Sequence, residues 1–306
     1  MKKEMIYDSQ SGGKIAASVW LPEGKPVAVV QIVHGIAEHM ARYEDFACYL
    51  NSLGYLVVGE DHMGHGATAG LGGVKGYFSG GWWAAVQDTC QLMKLISEQY
   101  PDTPYVLFGH SMGSFMARSI LARYPDCGIS GCVICGTGWQ PEAVLGAGRM
   151  IASAICKCSD PQKPSAMLHK IAFGAYNKRV DHPRTQYDWL TRDAAVVDAY
   201  IADPMCGFQA SAGLMGAMFD GIAYIQSKAA LEAMDKKIPV LFIAGGDDPV
   251  GNYGVGVRKT AQAFTAAGMQ NVQTKLYPLG RHEILNEINK KEVYEDVAEW
   301  LGDLIK

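Results

Sequence analysis

The run Gly109-His110-Ser111-Met112-Gly113 places a serine between two glycines. The apolar run Tyr105–Phe108 precedes it directly, and a helical pattern that continues to Tyr124 follows it. A tight turn from a strand into a helix holds its serine in strained backbone angles and exposes the hydroxyl, while flanking glycines remove Cβ atoms that would clash. This context predicts Ser111 as a nucleophile. The alternative is a glycine-rich turn whose serine only caps the helix.

A serine hydroxyl needs a histidine as its base, and the histidine needs a carboxylate to orient it. After this type of strand–turn–helix, the two partners follow the serine in the order acid, then histidine. Of the three histidines after Ser111, His169 and His182 lie in a segment without predicted strands. His282 comes soon after a predicted strand that ends at Tyr277. We therefore predict that His282 is the base.

Two adjacent aspartates are candidates for the acid. Asp247 and Asp248 both follow the predicted strand Val240–Ala244, and Pro249 comes next. A proline restricts the residue before it to extended backbone angles, which fixes the direction of the Asp248 side chain. We predict that Asp248 is the acid and that Asp247 is a turn residue.

The negative charge that develops on a substrate oxygen needs two backbone N–H donors. Met112 is predicted to supply one, because it follows the serine at the start of a helix whose dipole also favours negative charge. The loop after the predicted strand Val27–Val33 reads His34-Gly35-Ile36-Ala37-Glu38-His39. Ile36 in this loop is predicted as the second donor, and an ordinary turn at His34-Gly35 is the alternative.

Two histidines close to these candidates are not assigned a catalytic role. His110 is the neighbour of the serine, and we expect it to point elsewhere because adjacent side chains diverge at a tight turn. His34 precedes the nucleophile in the chain and is expected to shape its own loop.

The elements that must position these residues alternate between short apolar strands and amphipathic helices. An opening hairpin over Met5–Leu21 turns at Ser11-Gly12-Gly13, and later strands are predicted at Val27–Val33, Tyr55–Gly59, Tyr105–Phe108, Ile129–Cys135, Val240–Ala244 and Val272–Tyr277. Helices are predicted at about Arg42–Leu53, at Trp82–Tyr100, from the serine turn to Tyr124, near Arg258–Ala267 and from about Lys291 onward. Strands of this kind alternating with helices indicate an α/β protein with a mostly parallel, doubly wound sheet.

Residues 139–227 interrupt the alternation, because they contain no predicted strand and read as short helices rich in alanine, methionine, glycine and aromatic residues. We predict a helical cap over this range, inserted in a core of residues 1–138 and 228–306; two elongated crossovers are the alternative. Methionine-rich surfaces adapt to flexible chains, so Leu145, Met215 and Met218 are candidates to bind an acyl chain. The same apolar side chains would equally serve to attach the cap to the core.

Composition excludes several classes of protein. The 306 residues include 27 Lys and Arg against 31 Asp and Glu, which gives a net charge of −4. No long run of either sign is present, so binding to nucleic acid or to an anionic membrane surface has no electrostatic basis. No stretch approaches the ~20 apolar residues of a membrane span, and no secretory signal is evident. We expect a cytoplasmic protein of undetermined oligomeric state, with transient membrane or micelle contact of the cap left open.

The eight cysteines raise the question of a metal or redox site. Cys132-x-x-Cys135 lies in an apolar run, and Cys156-x-Cys158 is a second close pair. A structural zinc site usually needs two such pairs at suitable spacing, and a redox motif does not normally lie within a buried strand. We therefore expect mostly buried thiols, no metal and no cofactor.

Taken in order, the motifs resemble the α/β-hydrolase family of monoacylglycerol lipases and bacterial lysophospholipase-like enzymes. The matching residues are His34-Gly35-x-x-Glu38-His39-x-x-Arg42-Tyr43, Asp61-x-x-Gly64-His65-Gly66, Gly109-His110-Ser111-Met112-Gly113, Asp248-Pro249-Val250 and Gly280-x-His282-Glu283. The resemblance covers nearly the whole chain. It implies an α/β-hydrolase fold with a cap, Ser111, Asp248 and His282 as a catalytic triad, and Ile36 and Met112 as oxyanion donors.

The expected function is therefore that of a serine ester hydrolase acting through an acyl-enzyme on monoacylglycerols or lysophospholipids. An aminopeptidase or amidase on the same fold is one alternative, and it would need an acidic site for the substrate ammonium group. A ligand receptor that keeps the triad is another. Dehalogenase and epoxide hydrolase chemistry is excluded, because those relatives carry an aspartate at the position of Ser111.

Overall fold

The computed structural model describes all 306 residues and contains one eight-stranded sheet. The strands are β1 (Lys2–Asp8), β2 (Lys14–Trp20), β3 (Val29–Val33), β4 (Leu56–Glu60), β5 (Tyr105–His110), β6 (Gly131–Cys135), β7 (Val240–Gly245) and β8 (Val272–Tyr277). Their order is β1-β2-β4-β3-β5-β6-β7-β8, in which β1 and β2 run antiparallel to their neighbours and β3 to β8 are parallel. The predicted mostly parallel, doubly wound sheet is confirmed.

Two strand boundaries show how local backbone geometry sets the ends of the elements. The opening hairpin turns where predicted, because Gly12 and Gly13 have φ of +86° and +91°, values that glycine adopts without steric cost. The third strand begins at Val29 and not at the predicted Val27. Val27 is 45% exposed, and its N–H donates to the carbonyl of Gly54, outside the sheet.

Both faces of the sheet are covered by apolar side chains. In β3, Val29 and Val33 belong to a cluster of 50 buried residues, whereas Val30 and Ile32 belong to a second cluster of 25. Successive side chains of a strand point to opposite faces, so the two clusters lie on the two sides of the sheet. This explains why the strands read as continuous apolar runs.

Eleven α-helices and three short 3₁₀ turns complete the fold. The helices are α1 (Glu44–Ser52), α2 (Gly66–Ala69), α3 (Gly81–Gln99), α4 (Met112–Arg123), α5 (Glu142–Cys158), α6 (Ala166–Phe173), α7 (Ala194–Ala202), α8 (Ala212–Ile225), α9 (Lys228–Ala233), α10 (Val255–Ala266) and α11 (Lys290–Leu304). The predicted start of the first helix at Arg42 is wrong, because Arg42 lies in a preceding 3₁₀ turn, Met40–Tyr43. None of these helices has the length and apolar character needed to cross a lipid bilayer.

The chain between β6 and β7 forms helices α5 to α9 and a 3₁₀ turn, and its only β contact is an isolated bridge between Pro164 and Ser211. Helices α5 and α8 pack against each other, and α8 also packs against α3 and α4. The buried side chains Leu214 and Ile222 of α8 belong to the larger apolar cluster of the sheet. Helix α8 therefore connects the segment 139–227, for which we use the name cap, to the core.

All eight cysteines are free. Cys132 and Cys135 are buried in β6, as expected from their apolar surroundings. The expectation of mostly buried thiols is wrong, because only Cys206 is buried besides these two. Cys48 in α1 and Cys158 at the end of α5 are exposed, and the other three cysteines are partly buried.

Candidate active site

Ser111 occupies the turn between β5 and α4. The strand ends at His110 and the helix begins at Met112, so a single residue reverses the chain direction. Ser111 has φ 55° and ψ −120°, a combination that residues with a side chain rarely adopt. Such strain persists only where the surrounding structure imposes it, and it concentrates at functional sites.

The two glycines of the motif are required by close packing. A Cβ atom on Gly109 would overlap the carbonyl oxygen of Gly113, and a Cβ atom on Gly113 would overlap the carbonyl oxygen of Val33. Only glycine allows strand β5, helix α4 and the end of β3 to approach this closely. The same approach brings the loop after β3 against the serine.

His282 and Asp248 lie side by side, buried from solvent. The Nδ1 atom of His282 is 3.0 Å from Oδ1 of Asp248, and that oxygen also accepts the N–H of Val250 at 2.9 Å. The neighbouring Asp247 is exposed, so the structure places Asp248 and not Asp247 beside the ring. The Nδ1 atom therefore carries the hydrogen when the carboxylate is ionised, which leaves Nε2 free to accept a proton.

Ser111 and His282 line the same cavity. No hydrogen bond joins the Ser111 hydroxyl to the His282 ring in this geometry. Hydrogen bonds between catalytic groups are often long or poorly aligned without substrate and tighten when it is bound.

The two predicted oxyanion donors flank the serine. Met112 is the first residue of α4, where N–H groups have no partner within the helix. The N–H of Ile36 makes no backbone hydrogen bond, and Ile36 lines the cavity together with Ser111. A Cβ atom on Gly35 would lie 3.0 Å from the Cβ of Ser111, which shows how closely the loop is packed against the serine.

Glu38 fixes this loop through hydrogen bonds of its carboxylate. Its carboxylate accepts the N–H of Gly35 at 2.6 Å, the hydroxyl of Tyr43 at 2.8 Å and a guanidinium hydrogen of Arg42 at 2.8 Å. Burial alone would raise the pKa of Glu38, but its hydrogen bond with His110 and the charge of Arg42 outweigh burial and hold the pKa well below its usual range. Glu38 is thus a buried carboxylate that stays ionised.

His110 stays within the site, contrary to our expectation that it points elsewhere. It lines the cavity, and its Nε2 lies 3.3 Å from the carbonyl oxygen of His282. Its Nδ1 lies 2.8 Å from the hydroxyl of Tyr43. Burial would lower the pKa of His110, but its hydrogen bond with Glu38 and the negative charge of that carboxylate raise it. His34, in contrast, hydrogen-bonds within its own loop and with His62, and its ring packs against the rings of His62 and His65, at 3.9 and 5.4 Å between centroids.

Arg42 connects the loop of the predicted donors to the loop of the predicted base. Its guanidinium donates to both carboxylate oxygens of Glu283 at 2.6 Å, in addition to the bond with Glu38. Glu283 directly follows His282 in the chain. Both residues belong to the sequence motifs, but the sequence does not show that they pair, because they lie 241 positions apart in the chain.

The cap contributes hydrogen bonds on the other side of His282. The N–H of Glu283 donates to the carbonyl of Leu190 at 2.7 Å, and the N–H of His282 lies 3.4 Å from the carbonyl of Trp189. The Trp189 ring faces the His282 ring, with 5.1 Å between the centroids. The position of the imidazole therefore depends on both the core and the cap.

A cavity of about 760 Å³ opens above the serine, between the sheet and the cap. Leu145 and Met218, two of the three predicted acyl-chain residues, line it. Met215 does not: it is 1% exposed and belongs to the apolar cluster that joins α8 to the core. Phe219, one turn further along α8, lines the cavity instead.

The fold and this arrangement of serine, histidine, aspartate and backbone donors define an α/β-hydrolase. The chain belongs to the family described as Serine aminopeptidase, S33, which matches residues 24–289. A monoacylglycerol lipase of Mycolicibacterium smegmatis is 31% identical over 98% of this chain and 97% of its own length. The monoglyceride lipase of Mus musculus is 28% identical over 94% of this chain and 86% of its own.

Solved structures agree with this assignment. A highly thermostable carboxyl esterase from Bacillus coagulans, crystallised in complex with glycerol, has a TM-score of 0.91 and 31% identity, covering 100% of this chain and 99% of its own. The predicted α/β-hydrolase fold is confirmed. The chain is a carboxylic ester hydrolase, as its lipase and esterase relatives show and as the sequence predicts.

Proposed function

We propose that the chain cleaves esters through an acyl-enzyme formed on Ser111. The Ser111 hydroxyl attacks the ester carbonyl carbon and His282 takes its proton, while Asp248 keeps the imidazole in the tautomer with hydrogen on Nδ1. The N–H groups of Ile36 and Met112 donate to the oxyanion. His282 then protonates the leaving alcohol, and a water molecule deprotonated by the same ring releases the acid. The hydrogen bond between His282 and Asp248, at the cavity that Ser111 lines, carries this proposal.

We infer further that the substrates are lipid monoesters, monoacylglycerols or lysophospholipids. Of the 39 residues that line the cavity, 22 are hydrophobic, and the volume of about 760 Å³ suits one acyl chain with its headgroup. Leu145 and Met218 are the acyl-chain contacts of this proposal. The names of the relatives support it, since one is a monoacylglycerol lipase and another binds glycerol.

The family description includes aminopeptidases, which must bind a substrate ammonium group. A free carboxylate in the cavity would be needed for that role. Glu38 and Glu283 are the only acidic residues that line the cavity, and both are paired with Arg42. Because both carboxylates are already paired with the guanidinium, neither is free to bind an ammonium group, and the cavity favours an ester over an aminoacyl substrate.

The proposal includes transient contact of the cap with a membrane or micelle, from which a lipid monoester is taken up. Val144 and Ile171 line the cavity and are also exposed to solvent, and Met150 and Met167 are exposed on the same two helices, α5 and α6. Exposed apolar groups beside a cavity are typical of lipid-binding surfaces. We also propose a cytoplasmic location, which the eight free thiols support because reducing compartments keep cysteines unpaired.

The test is a substrate panel given to the full chain, with Ser111→Ala as control. It consists of p-nitrophenyl esters of rising chain length, a monoacylglycerol, a lysophospholipid and an aminoacyl p-nitroanilide. We expect hydrolysis of the esters, with long acyl chains preferred, and none of the anilide. Faster cleavage of the anilide than of every ester would make the chain an aminopeptidase. A folded protein that cleaves nothing and resists a fluorophosphonate probe would be a receptor.

A further inference from the structure

A group of three metal-ligating side chains lies outside the cavity described above. They are His39, Asp203 and Cys206, and one ligand atom from each lies within 4.8 Å of the other two. His39 follows Glu38 in the loop of the predicted oxyanion donor, and Asp203 and Cys206 belong to the cap just after α7. We propose that these residues form a binding site for a thiophilic divalent cation, Zn²⁺, that bridges the cap and the loop.

The donor set selects the ion. An imidazole nitrogen, a carboxylate oxygen and a thiolate sulfur are the ligands that Zn²⁺ takes in proteins, at about 2.0–2.3 Å each. Mg²⁺ and Ca²⁺ prefer oxygen ligands alone, so the cysteine excludes them. Nε2 of His39 and Oδ2 of Asp203 form a hydrogen bond of 2.8 Å, so these two ligand atoms already face each other, and the ion takes the place of the hydrogen between them. The Cys206 sulfur lies within 4.8 Å of both atoms, so side-chain rotation brings the three ligands to one ion.

The backbone around the three residues is held without a metal. The N–H of Cys206 donates to the carbonyl of Asp203 at 3.0 Å, which closes the turn that carries both ligands. The turn is fixed to the loop of His39, because the carbonyl of Ala37 accepts the N–H of Gly207 at 2.9 Å. A site whose ligands are already held in position binds an ion at a lower entropic cost.

The surroundings also favour a cation. The second oxygen of Asp203 accepts the N–H of Met205 at 2.8 Å, so the ligating carboxylate is oriented by an outer hydrogen bond, as is usual for metal ligands. Asp203 is the residue at the C-terminal end of α7, where the helix dipole presents its negative end. His39 and Cys206 are buried, whereas the Asp203 side chain is 28% exposed, so solvent can supply a fourth ligand from that side.

Binding requires the thiol to lose a proton. The Cys206 thiol exchanges its hydrogen for the metal, so that Zn²⁺ and the S–H group give a zinc–sulfur bond and one H⁺. Burial raises the pKa of this thiol, while the neighbouring Arg42 lowers it and the carboxylates of Glu38, Asp203 and Glu283 raise it further. Burial therefore keeps the free thiol protonated, and the bound cation displaces that proton.

Cobalt is the probe, because Co²⁺ takes zinc sites and shows an absorption band when bound to thiolate. Titration of the reduced full chain with Co²⁺ should give this charge-transfer band, and Zn²⁺ should abolish it by competition while Mg²⁺ leaves it unchanged. Cys206→Ser should remove the band. The matched control, Cys158→Ser at an exposed cysteine, should retain it. Asp203→Asn should weaken binding by at least the roughly 10–100-fold seen for loss of an outer ligand contact.

The readout does not depend on activity, so the outcome is separate from that of the proposed function. Absence of the band from the wild-type protein, or a band that survives in Cys206→Ser, would overturn the proposal. A band lost from Cys158→Ser would also overturn it, because the metal would then lie on the surface. If Cys206→Ser does not fold, Asp203→Asn decides, and unchanged cobalt affinity in that variant refutes the site.

Discussion

Replacement of Asp248 by asparagine tests the assignment of the acid most sharply. The Asp248 carboxylate is fully buried and accepts two hydrogen bonds on one oxygen, from His282 and from the N–H of Val250. An asparagine amide that turns its NH₂ group toward His282 reverses the tautomer of the ring, so that Nε2 carries the hydrogen and cannot accept a proton. In serine proteases this change lowers kcat by ~10⁴-fold, or about 5 kcal/mol of activation free energy.

The other orientation of the amide also has a cost. The second oxygen of Asp248 is buried and has no hydrogen-bond partner. If the amide oxygen faces His282, the NH₂ group takes that unpartnered position and lowers the free energy of unfolding by roughly 1–3 kcal/mol. Both orientations also remove the negative charge that stabilises the imidazolium form of His282. We therefore expect Asp248→Asn to be folded, less stable and nearly inactive.

The matched control is Asp247→Asn, one residue earlier in the same loop. The Asp247 side chain is exposed. Its backbone N–H donates to the carbonyl of Gly280, and the substitution does not affect that hydrogen bond. Surface changes of this kind cost within about 0.5 kcal/mol, so most activity should remain. The assay is kcat on a p-nitrophenyl ester at neutral pH, with circular dichroism as the check on folding. Loss of activity in Asp247→Asn alone would move the acid to Asp247.

Four further perturbations probe the site and its support. Ser111→Ala should lower kcat by ~10³-fold or more without changing the circular dichroism, and labelling of this variant by a fluorophosphonate probe would refute the nucleophile assignment. Met218→Lys should reduce hydrolysis of long-chain esters far more than hydrolysis of acetate esters, whereas Met215→Leu, away from the cavity, should not change the chain-length profile. Equal losses at all chain lengths in a stable Met218→Lys protein would contradict the acyl-site assignment. Arg42→Met should lower the free energy of unfolding in urea by roughly 3–5 kcal/mol, because two buried glutamates lose their counterion, and a loss below about 1 kcal/mol would mean that the pairs behave as exposed ones. Burial lowers the pKa of His65 to about 3, so below pH ~6.5 the unfolded chain binds a proton that the folded chain excludes. The free energy of unfolding should therefore fall by roughly 2 kcal/mol from pH 7 to pH 5 because of this residue. An equally steep loss in a His65→Phe variant would refute the explanation.

The nucleophile turn could be predicted from the sequence because its constraints are local. Gly109 and Gly113 approach each other across one turn, so their spacing around Ser111 records the geometry directly. The positions of Asp248 and His282 beside each other also follow from topology, since parallel strands β7 and β8 end at the same edge of the sheet. The order of the residues in the chain and the positions of the strand ends are therefore sufficient to predict that Asp248 and His282 are neighbours.

The wall of the cavity could not be predicted in the same way. Met215 and Met218 are three residues apart on α8, and a helical pattern places them on neighbouring positions of one face. Only Met218 lines the cavity, because α8 packs against α3 and α4 as well as α5. Periodicity identifies an apolar face, but the direction from which other elements cover that face is a property of the tertiary structure.

The charged residues around the site show a further limit of motif-based reasoning. Arg42 pairs with Glu38, which holds the backbone N–H of Gly35, and with Glu283, which follows His282. A single guanidinium therefore fixes the loop before the nucleophile and the loop of the base relative to each other. Desolvation makes a buried arginine costly unless its charge is compensated, and here two carboxylates compensate it at the position where the loops meet. The predicted donors and the predicted base are thus positioned by one electrostatic unit, assembled from residues that the sequence keeps far apart.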